Sequence, residues 1–270
     1  MALLIEGGGG VRLEPDILRI KTLSKAFGKL QAVDHVSFTV QRGVVTSVIG
    51  PNGAGKTTLF NLITGHLRAD TGEVAFKGMN ITNLPPHELN RRGLARSFQI
   101  VNIFPRLTVF ENVQAAVISR MRKSSSIITS AKNVGREEAF QILDRVGLSE
   151  RVGYIAGTLS HGDQRIMEIA IALGSRPELL LLDEPTAGMA PEETYATVGL
   201  IKRLVSELGL TILVVEHDMD VVFSISETIV VLHEGRMLAQ GKPEEVRQNE
   251  TVQRVYLGEE ITGEKGQPWE

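Results

Sequence analysis

Apolar and polar residues alternate along "ILRIKTLSKAF" (Ile17–Phe27) and again along "VSFTV" (Val36–Val40). A period of two sends every second side chain to one face, so both stretches predict half-buried strands. "VVTSVIG" (Val44–Gly50) is apolar with little alternation, which predicts a buried strand running into a Gly-rich turn. The period then changes. "KTTLFNLITG" (Lys56–Gly65) predicts a helix closed by glycine, and "GEVAFKG" after it predicts a further strand at a sheet edge.

From about Pro86 to Leu159 the pattern is mostly helical and more polar. It contains "RMRKSSS" (Arg120–Ser126), a basic, Ser-rich patch that reads as an exposed loop. After Ser160 the strand–helix alternation returns. "LLLL" (Leu179–Leu182), "TILVV" (Thr211–Val215) and "TIVVLH" (Thr228–His233) are short apolar runs separated by helical patterns. Alternating β and α predicts an α/β fold with a mostly parallel sheet covered by helices. The middle segment is then a helical insertion into that sheet.

Composition narrows the class. The 270 residues are 42% hydrophobic and 23% charged, and the formal net charge is −3. That balance suits a globular domain and argues against nucleic acid as a partner held by bulk positive charge. With no cysteine, disulfides and Cys-based zinc sites are excluded. No run approaches the roughly 18 consecutive apolar residues of a membrane span, so a membrane link is expected to pass through a partner. The opening "MALLIEGGGG" has too short an apolar run for a signal peptide, and residues 1–16 are expected to be a flexible lead.

"GPNGAGKTT" (Gly50–Thr58) fits the spacing G-x-x-x-x-G-K-[ST]. Gly50, Gly53 and Gly55 let the backbone turn so that successive N–H groups face an anion. Pro51, Asn52, Ala54 and Thr58 complete the cradle. The helix opening at Lys56 turns its positive end to the same place. Lys56 brings a full charge to the β- and γ-phosphates, and the Thr57 hydroxyl can ligate Mg²⁺. "ELLLLDEP" (Glu178–Pro185) is an apolar strand ending in two carboxylates. In an open parallel sheet ligands bind beyond the carboxyl ends of the strands. Asp183 is therefore expected to hold Mg²⁺ through water, and Glu184 to polarise the attacking water. "TILVVEHD" repeats the arrangement, and His217 is expected to donate to the γ-phosphate.

With these pieces placed, the sequence resembles the ATP-binding subunit of an ABC transporter, from about Ile17 to Leu257. The phosphate loop resembles the family's Walker A motif and "LLLLDE" its Walker B motif with the catalytic Glu184. "SFQ" (Ser97–Gln99) lies at the position of the Q-loop, His217 at the switch histidine, and "LSHGD" (Leu159–Asp163) resembles the signature usually written LSGGQ. The resemblance implies a P-loop NTPase (RecA-like) core with a mostly parallel sheet, an antiparallel β edge and an inserted helical subdomain. Its bounds would be core 17–98 and 166–240, helical subdomain about 99–165, and tail 241–270. It implies ATP and Mg²⁺ as ligands, with Gln99 reaching Mg²⁺ or the attacking water. Phe27 lies where the family often carries an aromatic that stacks on adenine, although a core Phe reads as well from the sequence.

Ser160 is a good helix N-cap, with Asp163 as a weak capping-box partner, and Ile166, Ile169, Ala170 and Leu173 form one apolar face. In the family this helix end caps the γ-phosphate bound by a second cassette, with Ser160 and Gly162 facing phosphate. The implied partners are thus a second ATP-binding subunit, in a homo- or heterodimer, transmembrane permease subunits and, indirectly, a substrate-binding protein. The implied place is peripheral, on the cytoplasmic face of the inner membrane. Asp163 puts a negative charge near an anion, and Ala190 stands where many members carry Asp. "PPHELNRRGLARSFQ", "IFPRLTVFENV", "DEPTAGMAPEET" and "RVYLGEE" resemble the ATP-binding subunits of branched-chain amino acid importers. Urea and amide importers and lipopolysaccharide-type exporters share part of this pattern. A soluble ABC ATPase is the remote alternative, because the chain has one cassette and no sustained heptads.

Overall fold

The computed structural model describes residues 16–97, 103–121 and 133–260. Gln99, most of the Ser-rich patch, nearly all of the expected lead and the last ten residues lie outside them. β1 (Asp16–Phe27) and β2 (Leu30–Gln41) form a hairpin, and β3 (Val45–Ile49) runs through the phosphate loop into α1 (Lys56–Ile63). β4 (Thr71–Phe76), β5 (Met79–Asn80), α2 (Pro86–Arg92) and β6 (Leu94–Arg96) follow, then α3 (Val109–Arg120) and α4 (Arg136–Val146). α5 (His161–Leu173), β7 (Leu179–Asp183), α6 (Pro191–Leu208), β8 (Thr211–Val215) and α7 (Met219–Ile225) rebuild the strand–helix alternation. β9 (Thr228–His233), β10 (Arg236–Gly241), α8 (Pro243–Arg247) and α9 (Glu250–Glu260) end the described chain.

The strands make two sheets, ordered β2-β1-β4-β5 and β10-β9-β3-β8-β7-β6. The first is antiparallel. In the second every neighbouring pair is parallel except β9 with the edge strand β10. Alternation within the buried strands decides which layer covers each face. Leu180, Leu182, Ile212 and Val214 pack with Val113, Ile169 and Ile201 on the helical side. Leu179, Leu181, Leu213 and Val215 pack with Phe38 and Phe60, from the antiparallel sheet and α1, on the other. Being covered on both faces is why these strands read as unbroken apolar runs.

The helical layer is α3, α4 and α5, joined through Val117, Leu143 and Ala170. α3 begins with a reciprocal cap: Glu111 N–H donates to Thr108 Oγ1 at 3.1 Å and Thr108 N–H to Glu111 Oε2 at 2.8 Å.

Two elements differ from the sequence reading. β4 is not an edge strand, because the two-residue β5 pairs with its outer side. β6 is a strand inside the stretch read as helical. Three residues are too few to show a period, and β6 exists through its pairing to β7.

Candidate nucleotide site

Register brings the chemistry together. Val48 of β3 and Asp183 of β7 both pair with Val215 of β8, so three adjacent strands end level. The phosphate loop leaves one of these ends, Asp183 and Glu184 the second, and Glu216 and His217 the third. Gly50 (φ +153°) and Gly55 (φ +97°) both need glycine, since a Cβ would run into the carbonyls of Leu232 and Ala32 respectively. Lys56 is buried and folds back over the loop, donating to the carbonyls of Gly50 and Pro51, the latter at 2.9 Å. Asn52, Gly53 and Thr57 are exposed along the loop, Ala54 is buried, and Thr58 is half-buried. No side chain caps α1, and its first turn carries no acid, so its N-terminal N–H groups suit an anion.

Asp183 is fully buried and half satisfied. Arg96 Nη2 donates to its Oδ2 at 2.7 Å, and Arg96 Nη1 donates to Asn61 Oδ1 at 2.6 Å. Oδ1 is buried with no hydrogen-bond partner. A carboxylate oxygen left so is costly, of order 1–3 kcal/mol or more for a charged group. A hydrated divalent cation beside the phosphate loop supplies the missing partner, so the donor set fits Mg²⁺. Among the described residues there is no group of three or more His, Asp or Glu able to hold a metal by themselves. Thr57 and Gln99 are the further ligands expected from the sequence, and Gln99 lies outside the described residues.

Glu184 holds φ +50°, a region that side chains other than glycine seldom use. Its N–H donates to the Val215 carbonyl at 2.9 Å, which pins it there. Its Oε1 lies 2.7 Å from His217 Nε2, and both side chains are partly open to solvent. An ionised Glu184 sets the proton on Nε2. Glu216, next in the chain, is buried and structural. It accepts from Thr186 N–H (3.0 Å) and Oγ1 (2.5 Å) through Oε1 and from His217 N–H (3.0 Å) through Oε2, tying the turns after β7 and β8 together. Sequence reasoning named no role for Glu216 or Arg96. A charged residue inside or just after an apolar strand was the signal for both.

Ser160 caps α5, accepting from Asp163 N–H at 3.1 Å. The charge of Asp163 is balanced by Arg151, whose Nε lies 3.1 Å from Oδ2. Its carboxylate is thus spent on Arg151, from the turn Ser149–Arg151, and makes no box with Ser160. Gly162 is buried, and a Cβ there would stand 2.7 Å from Glu193 Oε1. Glu193 in turn accepts from Ala190 N–H at 3.2 Å and opens α6. Phe27 is 47% exposed beside the β1–β2 turn, with Lys25 Nζ 5.6 Å from its ring, so it is no core residue.

A phosphate loop leading from a central parallel strand, level with an acidic strand end, defines a P-loop NTPase. The chain matches the ABC transporter family over residues 33–187 and, over 236–262, the family described as branched-chain amino acid ATP-binding cassette transporter. It belongs to the ABC transporter family, as an ATP-binding subunit that hydrolyses ATP. It is 41% identical to the high-affinity branched-chain amino acid transport ATP-binding protein BraF of Pseudomonas aeruginosa, over 90% of this chain and 98% of that one. With LivG of Escherichia coli K12, named for the same transport, identity is 39% over 90% and 98%. The solved ADP conformation of an ABC transporter cassette superposes with TM-score 0.79 at 34% identity, over 90% and 99%. A dimeric bacterial ABC transporter cassette superposes with TM-score 0.71 at 28% identity, over 84% and 98%.

Proposed function

We propose that this subunit powers import of branched-chain amino acids, or close hydrophobic relatives, by hydrolysing Mg²⁺-bound ATP. The chemistry rests on one observation: the open oxygen of Asp183 and the Glu184–His217 pair stand level with the phosphate loop. The cargo reading is supported by the likeness to BraF and LivG and by the match at 236–262.

In this reading residues 50–58 cradle the phosphates, Lys56 neutralises them, and Phe27 stacks on adenine. Asp183, Thr57 and Gln99 hold Mg²⁺, which when bound neutralises charge on the β- and γ-phosphate oxygens. Glu184 polarises the attacking water, and His217 donates a hydrogen bond to the γ-phosphate. Ser160 and Gly162 face the nucleotide of a second cassette, and a dimeric relative of the same fold supports that pairing. The working division is core 17–98 and 166–240, helical part 99–165 and tail 241–270. α5, His161–Leu173, spans the junction between the helical part and the core. We assign the permease contact to the cleft of about 560 Å³ beside Ser97, between α2, α3 and α5, where the chain leaves for Gln99. No described helix is long and apolar enough to cross a membrane. The likeness to transporter ATP-binding proteins supports a peripheral seat on permease subunits, which we place at the cytoplasmic face.

The test is turnover and transport together. Glu184→Gln should bind ATP as the parent does and hydrolyse it about 100-fold more slowly or worse, the usual share of a general base. Equal turnover removes Glu184 from the chemistry. Proteoliposomes holding the copurified complex should accumulate leucine on ATP. Uptake of urea or an amide, or export, reassigns the cargo.

A further inference from the structure

Resting on the reading of Phe27 as the residue that stacks on adenine, we infer that Asp70 is a positioning residue for the base, fixing Phe27 through Lys25 and the Ala26 backbone. β1 pairs with β4 only as far as Ser24, which faces Thr71. Phe27 lies three residues further on, at the end of β1, beyond the reach of β4. Asp70, the residue before β4, continues that edge. Its N–H donates to the Ser24 carbonyl at 3.0 Å. Its Oδ2 accepts from Ala26 N–H at 2.8 Å, two residues along the same side of the strand. Its Oδ1 accepts from Lys25 Nζ at 2.7 Å. Lys25 is thereby held over the Phe27 ring, 5.6 Å from the centroid, with its side chain only 17% exposed. A fixed cation takes one face of the ring and leaves the other to the base.

The other edge of β1 places this tip. Lys25 pairs with Val33 and Ala26 with Gln31, so Ala32 is one residue too many on β2 and bulges. Its carbonyl lies against Gly55, at the mouth of α1. The hairpin that carries Phe27 is thus joined to the phosphate loop. A ring that turns freely must be ordered when a base stacks on it, and that ordering gives back part of the stacking energy. Lys25 and Asp70 order the ring beforehand. Asp70 therefore acts on the base through Phe27, without touching the nucleotide.

Calorimetry on the full chain compares ADP with pyrophosphate, both in Mg²⁺, because pyrophosphate lacks base and ribose. ADP has no γ-phosphate, so neither hydrolysis nor ATP-driven pairing intrudes. Phe27→Ala should weaken ADP binding about tenfold and leave pyrophosphate within about twofold. Asp70→Ala should weaken ADP about fivefold, the cost of ordering a loosened side chain on binding, again with pyrophosphate within about twofold. Added to Phe27→Ala, Asp70→Ala should cost ADP less than about twofold, because no ring is left to position. A residue that only stabilises the hairpin would weaken both ligands or add its full effect in the double variant, and either result overturns the role of Asp70. So does an Asp70→Ala chain that binds ADP as wild type does. Should Asp70→Ala fail to fold, Lys25→Met carries the test, with an expected loss of about threefold for ADP alone. ADP affinity unchanged in Phe27→Ala overturns the stacking reading, and the role of Asp70 with it.

Discussion

The molecule presents two helix N-termini to phosphate in the proposed dimer, and they are built in opposite ways. α1 has no side-chain cap and no acid in its first turn, and a buried lysine sits at its mouth. Lys56 Nζ is held there by the carbonyls of Gly50 and Pro51. α5 is already capped by Ser160, carries Asp163 in its first turn, and balances that acid with Arg151. Ser160 and His161 are exposed. In the proposed reading the first end is an anion site built within one chain. The second is close to satisfied alone and adds little by itself, about 0.3–1 kcal/mol for a helix terminus. A weak contact made only across an interface suits a reporter of bound ATP, because it exists only while the nucleotide bridges both halves.

Breaking the first end should have the larger effect. Lys56→Ala removes a hydrogen-bonded charge worth about 1.5–3 kcal/mol, so nucleotide affinity in a fluorescence titration should drop roughly tenfold to 100-fold. Normal affinity would contradict the phosphate-loop assignment. Ser160→Arg tests the second end. In a Glu184→Gln background, which keeps ATP intact, it should leave affinity within about twofold in the monomer while abolishing ATP-driven dimerisation on sizing. A dimer that persists with ATP shows that α5 does not cap a partner's nucleotide.

A smaller effect sharpens the contrast. Arg151 is half-exposed, so the Arg151–Asp163 pair should contribute only about 0.2–1 kcal/mol to stability. A double-mutant cycle on Arg151→Ala and Asp163→Asn, read by urea unfolding, measures it. The ATP-driven dimer should be more sensitive than the fold. Arg151→Ala leaves Asp163 uncompensated at an anion's approach and should raise the ATP needed for half-dimerisation, and adding Asp163→Asn should bring it back. If the double variant is as impaired as Arg151→Ala, the pair does not serve the phosphate.

The two ends were also unequally legible in the sequence. At the first, spacing carries the answer: glycines where the backbone must reverse, then a lysine at a helix start. The level ends of β3, β7 and β8 follow from unbroken apolar runs. At the second, the cap at Ser160 could be read, but the partners of Asp163 and Gly162 could not. Arg151 lies twelve positions before the one in the chain, and Glu193 thirty-one after the other. No periodicity links them. β6 and Glu216 escaped for the same reason. A three-residue strand has no pattern of its own, and a buried carboxylate after a strand looks like its catalytic neighbours until its acceptors are filled by Thr186 and His217.

The least of the expected effects belongs to the first end. His66 follows α1, 3.0 Å from Thr64 Oγ1. Burial, and then the Arg96 charge, hold its pKa below the usual 6.5. A base held neutral in the fold is protonated first in the unfolded chain. Its contribution to stability is therefore complete above pH 6.5 and is lost as pH falls through 6.5 towards the folded value. Asp34, Asp70 and Glu111 are also held below their ordinary values of 3.8, 3.8 and 4.5, so their contributions fade only in more acid solution. Urea unfolding of wild type and His66→Gln at two pH values, about 8 and about 5.5, separates the histidine from them. Wild type should lose more stability than the variant over that step. Equal losses would mean that neither burial nor Arg96 bears on His66. Since Arg96 also grips Asp183, the same titration run on Arg96→Lys asks whether its charge stays in place when the fork is lost. A wild-type pH response there would show that a charge at position 96, without the fork, is enough for its effect on His66.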